Sequence, residues 1–164
     1  MNEGLTSNVR AYGAERQLLI AEPLGSGKDG KVWVGKGQRS PARAALKAHR
    51  LAELYFREKA VYRRLEERAI NSVFGFSVPE LLGFDDRLRI LEMTIVNRPF
   101  VLDFAGAHLD VRPGFPAEVW ADWEAEKREQ FEGRWPTVEK ILDAFAELGI
   151  YLLDVSPSNI AFLD

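Results

Sequence analysis

Residues 24–34 read LGSGKDGKVWV, a glycine-rich turn between two β-like runs, and no other segment restricts the fold as tightly. Gly25, Gly27 and Gly30 form G-x-G-x-x-G, with Val32 two residues later. Glycine suits such a turn because backbone amides approach phosphate only where no Cβ intervenes, and because it tolerates positive φ. A dinucleotide-binding fold needs a helix straight after the glycines, whereas KVWVG is strand-like. The segment nearly matches the Walker pattern through Gly25, Gly30 and Lys31, yet Val32 stands where a Ser or Thr hydroxyl would hold magnesium. Two readings remain: a hairpin turn that cradles phosphate, or a plain hairpin loop rich in Gly, Lys and Asp.

Local patterns around the turn predict an α+β chain. Short β-like runs at 17–21, 31–35 and 42–48 form an antiparallel meander. The stretch LAELYFREKAVYRRLEER has no Gly or Pro and sets Leu51, Leu54, Tyr55, Val61, Tyr62 and Leu65 on one side at helical spacing. Runs at 78–84 and 88–96, joined at Asp85 and Asp86, bring the sheet to about five strands. Beyond Pro99 the pattern is helical. A charged amphipathic segment covers 117–131, and a second helix opens at Pro136 and closes before Gly149, its stripe being Val138, Ile141, Leu142, Phe145 and Leu148. The tail IYLLDVSPSNIAFLD is two apolar runs around a polar loop, 154–159. Residues 1–16 are polar, without an apolar core region, and are expected to be a flexible segment.

Composition narrows the function classes. With 164 residues, 46% of them hydrophobic, the chain suits one compact core. Lys plus Arg is 22 against Asp plus Glu 25, so the basic excess of a general nucleic-acid binder is missing. The absence of cysteine excludes disulfides, thiolate metal sites and a Cys nucleophile, and fits a reducing compartment such as the cytoplasm. No apolar stretch approaches bilayer-spanning length, so no membrane is expected. His49 and His108 are isolated and read as exposed or hydrogen-bonded rather than metal-ligating. Trp120 and Trp123 read as packing residues. Glu118, Asp122, Glu124, Glu126 and Glu129 read as a solvated face, or as a surface for a protein partner.

Two charged residues sit where charges are costly. Lys47 lies among small apolar residues in AALKA, on the third expected strand. On the following helix the apolar stripe through Leu51, Leu54, Val61 and Leu65 is continued at Glu58. An inward carboxylate needs a partner, and Lys47 is the nearest cation. The alternative leaves Glu58 at the stripe's margin, paired along its own helix with Arg57 or Tyr62.

Together these features resemble the protein-kinase superfamily over nearly the whole chain: the G-x-G-x-x-G-x-V turn from Gly25 to Val32, Lys47, Glu58, and DVSPSN, in which Asp154 and Asn159 keep the spacing of an H-R-D-x-x-x-x-N loop. The resemblance implies a kinase-like N-terminal lobe over 17–98, a sheet with one helix, and a partial helical C-terminal lobe over 99–164. It implies ATP and magnesium as cofactors. Gly25, Ser26, Gly27 and Gly30 would cover the phosphates, Val32 and Ala45 would flank the adenine, and the hinge would lie within 93–98. Lys47 would contact phosphate oxygens, Glu58 would orient Lys47, Asp154 would accept the substrate hydroxyl's proton, and Asn159 would bind magnesium.

Departures from the pattern shape the expected activity. Leu152 and Leu153 stand in place of the family's His and Arg, and Ser156 in place of a lysine, which leans toward small-molecule and atypical kinases. The chain reaches Asp164 without an Asp-Phe-Gly motif following the DVSPSN loop, and strand alternation turns Asp164 away from the face of Asn159. The expectation is a nucleotide-binding, pseudokinase-like domain that is inactive or weakly active. The alternatives are an active phosphotransferase acting on a hydroxyl, and an interaction domain or remnant that binds no nucleotide.

Overall fold

The structure, a computed structural model, describes residues 3–164. It opens on α1 (Glu3–Arg16), followed by the hairpin strands β1 (Leu18–Ser26) and β2 (Gly30–Gly37), then β3 (Arg43–His49) and α2 (Ala52–Glu67). Short strands β4 (Ser72–Val73) and β5 (Phe76–Ser77) precede β6 (Leu81–Asp85) and β7 (Ile90–Met93). The second half holds β8 (Phe100–Val101), β9 (His108–Leu109), α3 (Ala117–Phe131), a 3-10 turn at Glu132–Arg134, α4 (Trp135–Glu147), β10 (Ile150–Tyr151) and β11 (Ile160–Ala161). The class is α+β. Strands β1-β2-β3-β7-β6 form one antiparallel sheet, β9 and β10 form a pair, and β11-β8-β5-β4 form a small mixed sheet. No helix among the described residues is long and apolar enough to cross a membrane.

The flexible segment expected over 1–16 is instead, from Glu3 onward, a helix packed on the sheet. Leu5, Val9 and Tyr12 recur at helical spacing and are buried against Trp33, Leu46, Ala48, Leu88 and Ile90. The sequence reads as polar because this stripe is only three residues wide. Its polar edge is fastened too: Tyr12 Oη donates to Glu92 Oε2 at 2.6 Å, and Arg16 Nε donates to the same oxygen at 3.0 Å. Glycine at 83 permits this approach, since a Cβ there would stand 2.7 Å from Tyr12 Oη. Glu92 is a buried carboxylate in the sheet, so its partners matter. Tyr12→Phe should destabilise the fold by about 1–3 kcal/mol, measured by urea unfolding, because it withdraws a donor from a buried charge. A change within experimental error would mean that Arg16 alone satisfies Glu92.

On the opposite face a larger core runs without a seam from the sheet into the helical half. It joins Tyr62 and Leu65 of α2, Leu91 and Met93 of β7, and Ile141 and Phe145 of α4. The two regions therefore fold over one shared interior. Leu51, expected on the α2 stripe, is instead exposed, because it caps the helix in an extended conformation (φ −109°, ψ 133°) rather than joining its first turn.

Candidate functional site

Strand alternation on β3 turns Ala45, Lys47 and His49 toward α2, while Leu46 and Ala48 face α1. On α2, the buried positions Tyr55, Glu58, Val61, Tyr62 and Leu65 form one inward face, so Glu58 enters the core where Lys47 emerges from the sheet. Lys47 Nζ lies 3.1 Å from Glu58 Oε1 and 2.9 Å from Oε2. It also lies 2.9 Å from Oδ1 of Asp103, a residue the sequence reading did not single out. His49 Nε2 is 2.5 Å from Glu58 Oε2, and the backbone N–H of Phe104 donates to Glu58 Oε1 at 3.1 Å.

Two short pairings bring the remaining candidates to this spot. β8 pairs with β11 through Val101↔Ile160 and Phe100↔Ala161, and β9 pairs with β10 through Leu109↔Ile150 and His108↔Tyr151. Segment 102–107, which links β8 to β9, therefore lies against segment 152–159, which links β10 to β11. Leu102 N–H donates to the Asn159 carbonyl at 2.9 Å, and a Cβ on Gly106 would touch that of Asp154 at 3.4 Å. Asn159 Nδ2 donates to the Asp154 carbonyl at 3.0 Å, which leaves its amide oxygen for another partner. Asp103 holds a left-handed backbone (φ 70°), a conformation uncommon outside glycine that aspartate tolerates better than most residues.

The electrostatics of the cluster follow from burial and charge. Burial disfavours a charged Lys47, but the negative charges of Glu58 and then Asp103 outweigh it and hold the ammonium above the ordinary lysine range. Burial likewise pushes the Glu58 carboxyl up, and Lys47 followed by His49 overrides it, bringing its pKa down to about 2. Asp154 moves the other way. Burial, then the charge of Asp103, lifts its carboxyl above the ordinary range, with hydrogen bonding to Asn159 opposing them. The charge of Asp29, in the glycine-rich turn, adds to the lift.

The turn itself is held from two sides. Gly27 N–H donates to the Gly30 carbonyl at 2.9 Å, and Arg50 Nη1 donates to the carbonyls of Gly27 at 2.7 Å and Lys28 at 3.1 Å. None of Gly25, Gly27 and Gly30 adopts positive φ, so the conformational reason expected for them does not apply. A Cβ on Gly25 or Gly27 would meet nothing within 4 Å, whereas one on Gly30 would collide with the Ala48 carbonyl. Gly30 thus serves the β2–β3 approach, and Gly25 and Gly27 leave an open backbone surface. Ser26 closes β1 opposite Lys31, Val32 lies opposite Lys47, and Ala45 lies opposite Met93.

Asp164 pairs with Arg98 on the surface at 3.3 Å, in keeping with its expected outward turn. A second carboxylate, that of Asp103, reaches Lys47 from upstream of the DVSPSN loop. The one local signal is that residues 103–106 read Asp-Phe-Ala-Gly, and their position ahead of DVSPSN gave no reason to place them beside it. His49, expected to be exposed or hydrogen-bonded, is fully buried and hydrogen-bonded. Arg50 had no sequence signal, since its role depends on the turn folding back across β3.

The donor set suits a magnesium–nucleotide complex. The Asp103 carboxylate and the Asn159 amide oxygen are hard oxygen donors on adjoining segments, and Lys47 is a fixed cation beneath the glycine-rich turn. Among the described residues no group of three His, Cys, Asp or Glu side chains gathers for a metal, so an ion here would take its other ligands from phosphate and water, as magnesium commonly does. Beside the Asp154 loop a cavity of about 420 Å3 opens, lined by Trp120, Trp123, Trp135, Asp143 and Leu153 among others. No protein-family model, curated protein or solved structure matches the chain.

Proposed function

We propose that this chain binds ATP with magnesium and transfers the γ-phosphate to a hydroxyl group. The observation that carries this reading is Asp103, 2.9 Å from Lys47 and lying along the segment that holds Asp154 and Asn159. A kinase-like fold needs a lysine, an orienting glutamate, a metal aspartate, a metal asparagine and a catalytic aspartate. Residues suited to all five roles are present in Lys47, Glu58, Asp103, Asn159 and Asp154. In the family's usual chain order the metal aspartate follows the catalytic loop, whereas here β8, Asp103 and β9 come before α3, α4 and that loop. Because β8 pairs with β11 and β9 with β10, Asp103 still lies beside the Asp154 loop despite preceding it in the chain.

Magnesium, when bound, supplies charge that offsets the phosphates and the developing transition state. Asp103 and Asn159 would hold it. Lys47, kept extended by Glu58, contacts phosphate oxygens, and the open backbone at Gly25 and Gly27 covers them. Asp154 accepts the proton of the acceptor hydroxyl as its oxygen bonds to the γ-phosphorus and the bond to ADP breaks. The acceptor would approach from the cavity between α3 and α4, whose lining reaches Leu153, the residue before Asp154. A second reading, binding without turnover, is favoured by one fact: Asp103 is engaged with Lys47, a contact that must loosen for a metal to take it.

Thermal unfolding with ATP and magnesium tests binding. Ligand at about 100 times its dissociation constant should stabilise the fold by roughly 2.7 kcal/mol, and no shift at millimolar nucleotide would exclude both readings. Phosphate release separates them. Asp154→Asn should lower turnover by about 10²–10⁴-fold. It should also raise the unfolding temperature slightly at neutral pH. With its folded pKa lifted, Asp154 ionises more readily in the unfolded chain, so stability declines as pH rises past its ordinary value, and removing the charge relieves that loss.

A further inference from the structure

We infer that His49 is a positioning residue that, by fixing Glu58, keeps Lys47 shared between Glu58 and Asp103 so that a metal can displace it from Asp103; the inference rests on the phosphotransferase reading above. A carboxylate offers about four lone-pair sites. Glu58 faces four contacts: Lys47 Nζ on each oxygen, Phe104 N–H on Oε1, and His49 Nε2 on Oε2. His49 is the only one of these donors outside the catalytic set and the segment that carries Asp103. It has no exposed surface, its Nδ1 lies 3.3 Å from the Arg89 carbonyl, and the ring of Tyr55 packs on it edge to face at 5.5 Å. With both ring nitrogens facing acceptors and the ring wedged, its orientation is set by β3, the turn before β7 and α2 together. The chemistry needs this anchor because Lys47 is shared between Glu58 and Asp103 at equal distances of 2.9 Å. With Glu58 unanchored, Lys47, already 2.9 Å from Asp103, is left to that carboxylate alone and competes more strongly with a metal for it.

The consequence is specific: loss of the His49 donor weakens metal binding more than nucleotide binding. His49→Met fills similar volume without an N–H, whereas the side-chain amide of His49→Gln can still donate to Glu58. Binding of manganese in the presence of a non-hydrolysable ATP analogue, read by electron paramagnetic resonance, should weaken by about 10- to 100-fold in His49→Met, the range for residues that orient metal ligands. His49→Gln should stay close to the wild type, and binding of the analogue without metal should hardly change in either variant. Equal manganese affinity in His49→Met and the wild type would overturn the role, as would a His49→Gln variant as weak as His49→Met. If the wild type itself binds no manganese with the analogue, the phosphotransferase reading falls instead. Should His49→Met fail to fold, the wild type still decides: an Nε2 proton hydrogen-bonded to a buried carboxylate resonates far downfield and exchanges slowly. A fast-exchanging, undisplaced proton would refute the contact.

Discussion

Asp103→Asn is expected to lower magnesium-dependent ATP turnover by about 10³-fold, a barrier increase of about 4 kcal/mol. The substitution is unusually clean. Asparagine tolerates the left-handed backbone at φ 70° nearly as well as aspartate does, so the change removes charge without adding strain. Lys47 retains Glu58, and the fold keeps its buried ion pair. What disappears is the carboxylate through which a divalent ion would be held, and with it the charge compensation on which phosphoryl transfer depends. The measurement is phosphate release across a magnesium series, with nucleotide affinity followed separately. Turnover within a fewfold of the wild type would show that Asp103 ligates no metal.

Glu58→Gln should be the most destabilising single change in the site, at about 3–5 kcal/mol, because it leaves Lys47 facing a neutral amide in the interior and withdraws the charged partner of His49. The wild type carries the same dependence in its pH profile. Glu58 is fully buried, and although that burial works against the charged form, Lys47 and His49 depress its pKa from an ordinary 4.5 to about 2. A depressed folded pKa means that the stabilisation is fully present above the ordinary value and is lost as pH falls from 4.5 toward 2. Urea unfolding should therefore show wild-type stability declining through that acid window and converging on the variant, whose own decline there is shallower. Parallel curves for the two proteins would mean that the Glu58 ion pair adds nothing to stability.

Much of this was legible before any coordinates. α3 occupies the residues its amphipathic pattern indicated, Ala117–Phe131, and α2 and α4 begin and end within a residue or two of their expected limits. In α2 and α4 an apolar stripe at helical spacing had one way to be buried, whereas α3 buries Phe131 alone and follows from its run of helix-forming residues without Gly or Pro. Lys47 and Glu58 could be singled out because an apolar neighbourhood makes an unpaired charge costly, so the sequence signals the need for a partner. Polarity misled at residues 1–16, where Leu5, Val9 and Tyr12 were too sparse to stand out until the uncovered face of the sheet was seen to need them.

The identity of the partners is what local pattern did not carry. Lys47 and Asp103 are 56 positions apart, and Glu58 and Phe104 are 46 apart. Nothing in the periodicity around Asp103 indicates that β8 will lie against β11, or that β9 will lie against β10. Spacing along the chain determined where Lys47, Glu58, Asp154 and Asn159 could act, because strand and helix periods are set by neighbouring residues. The tertiary structure alone decided that Asp103 completes the cluster, because strand pairing depends on burial across the whole interior and is indifferent to which segment comes first in the chain.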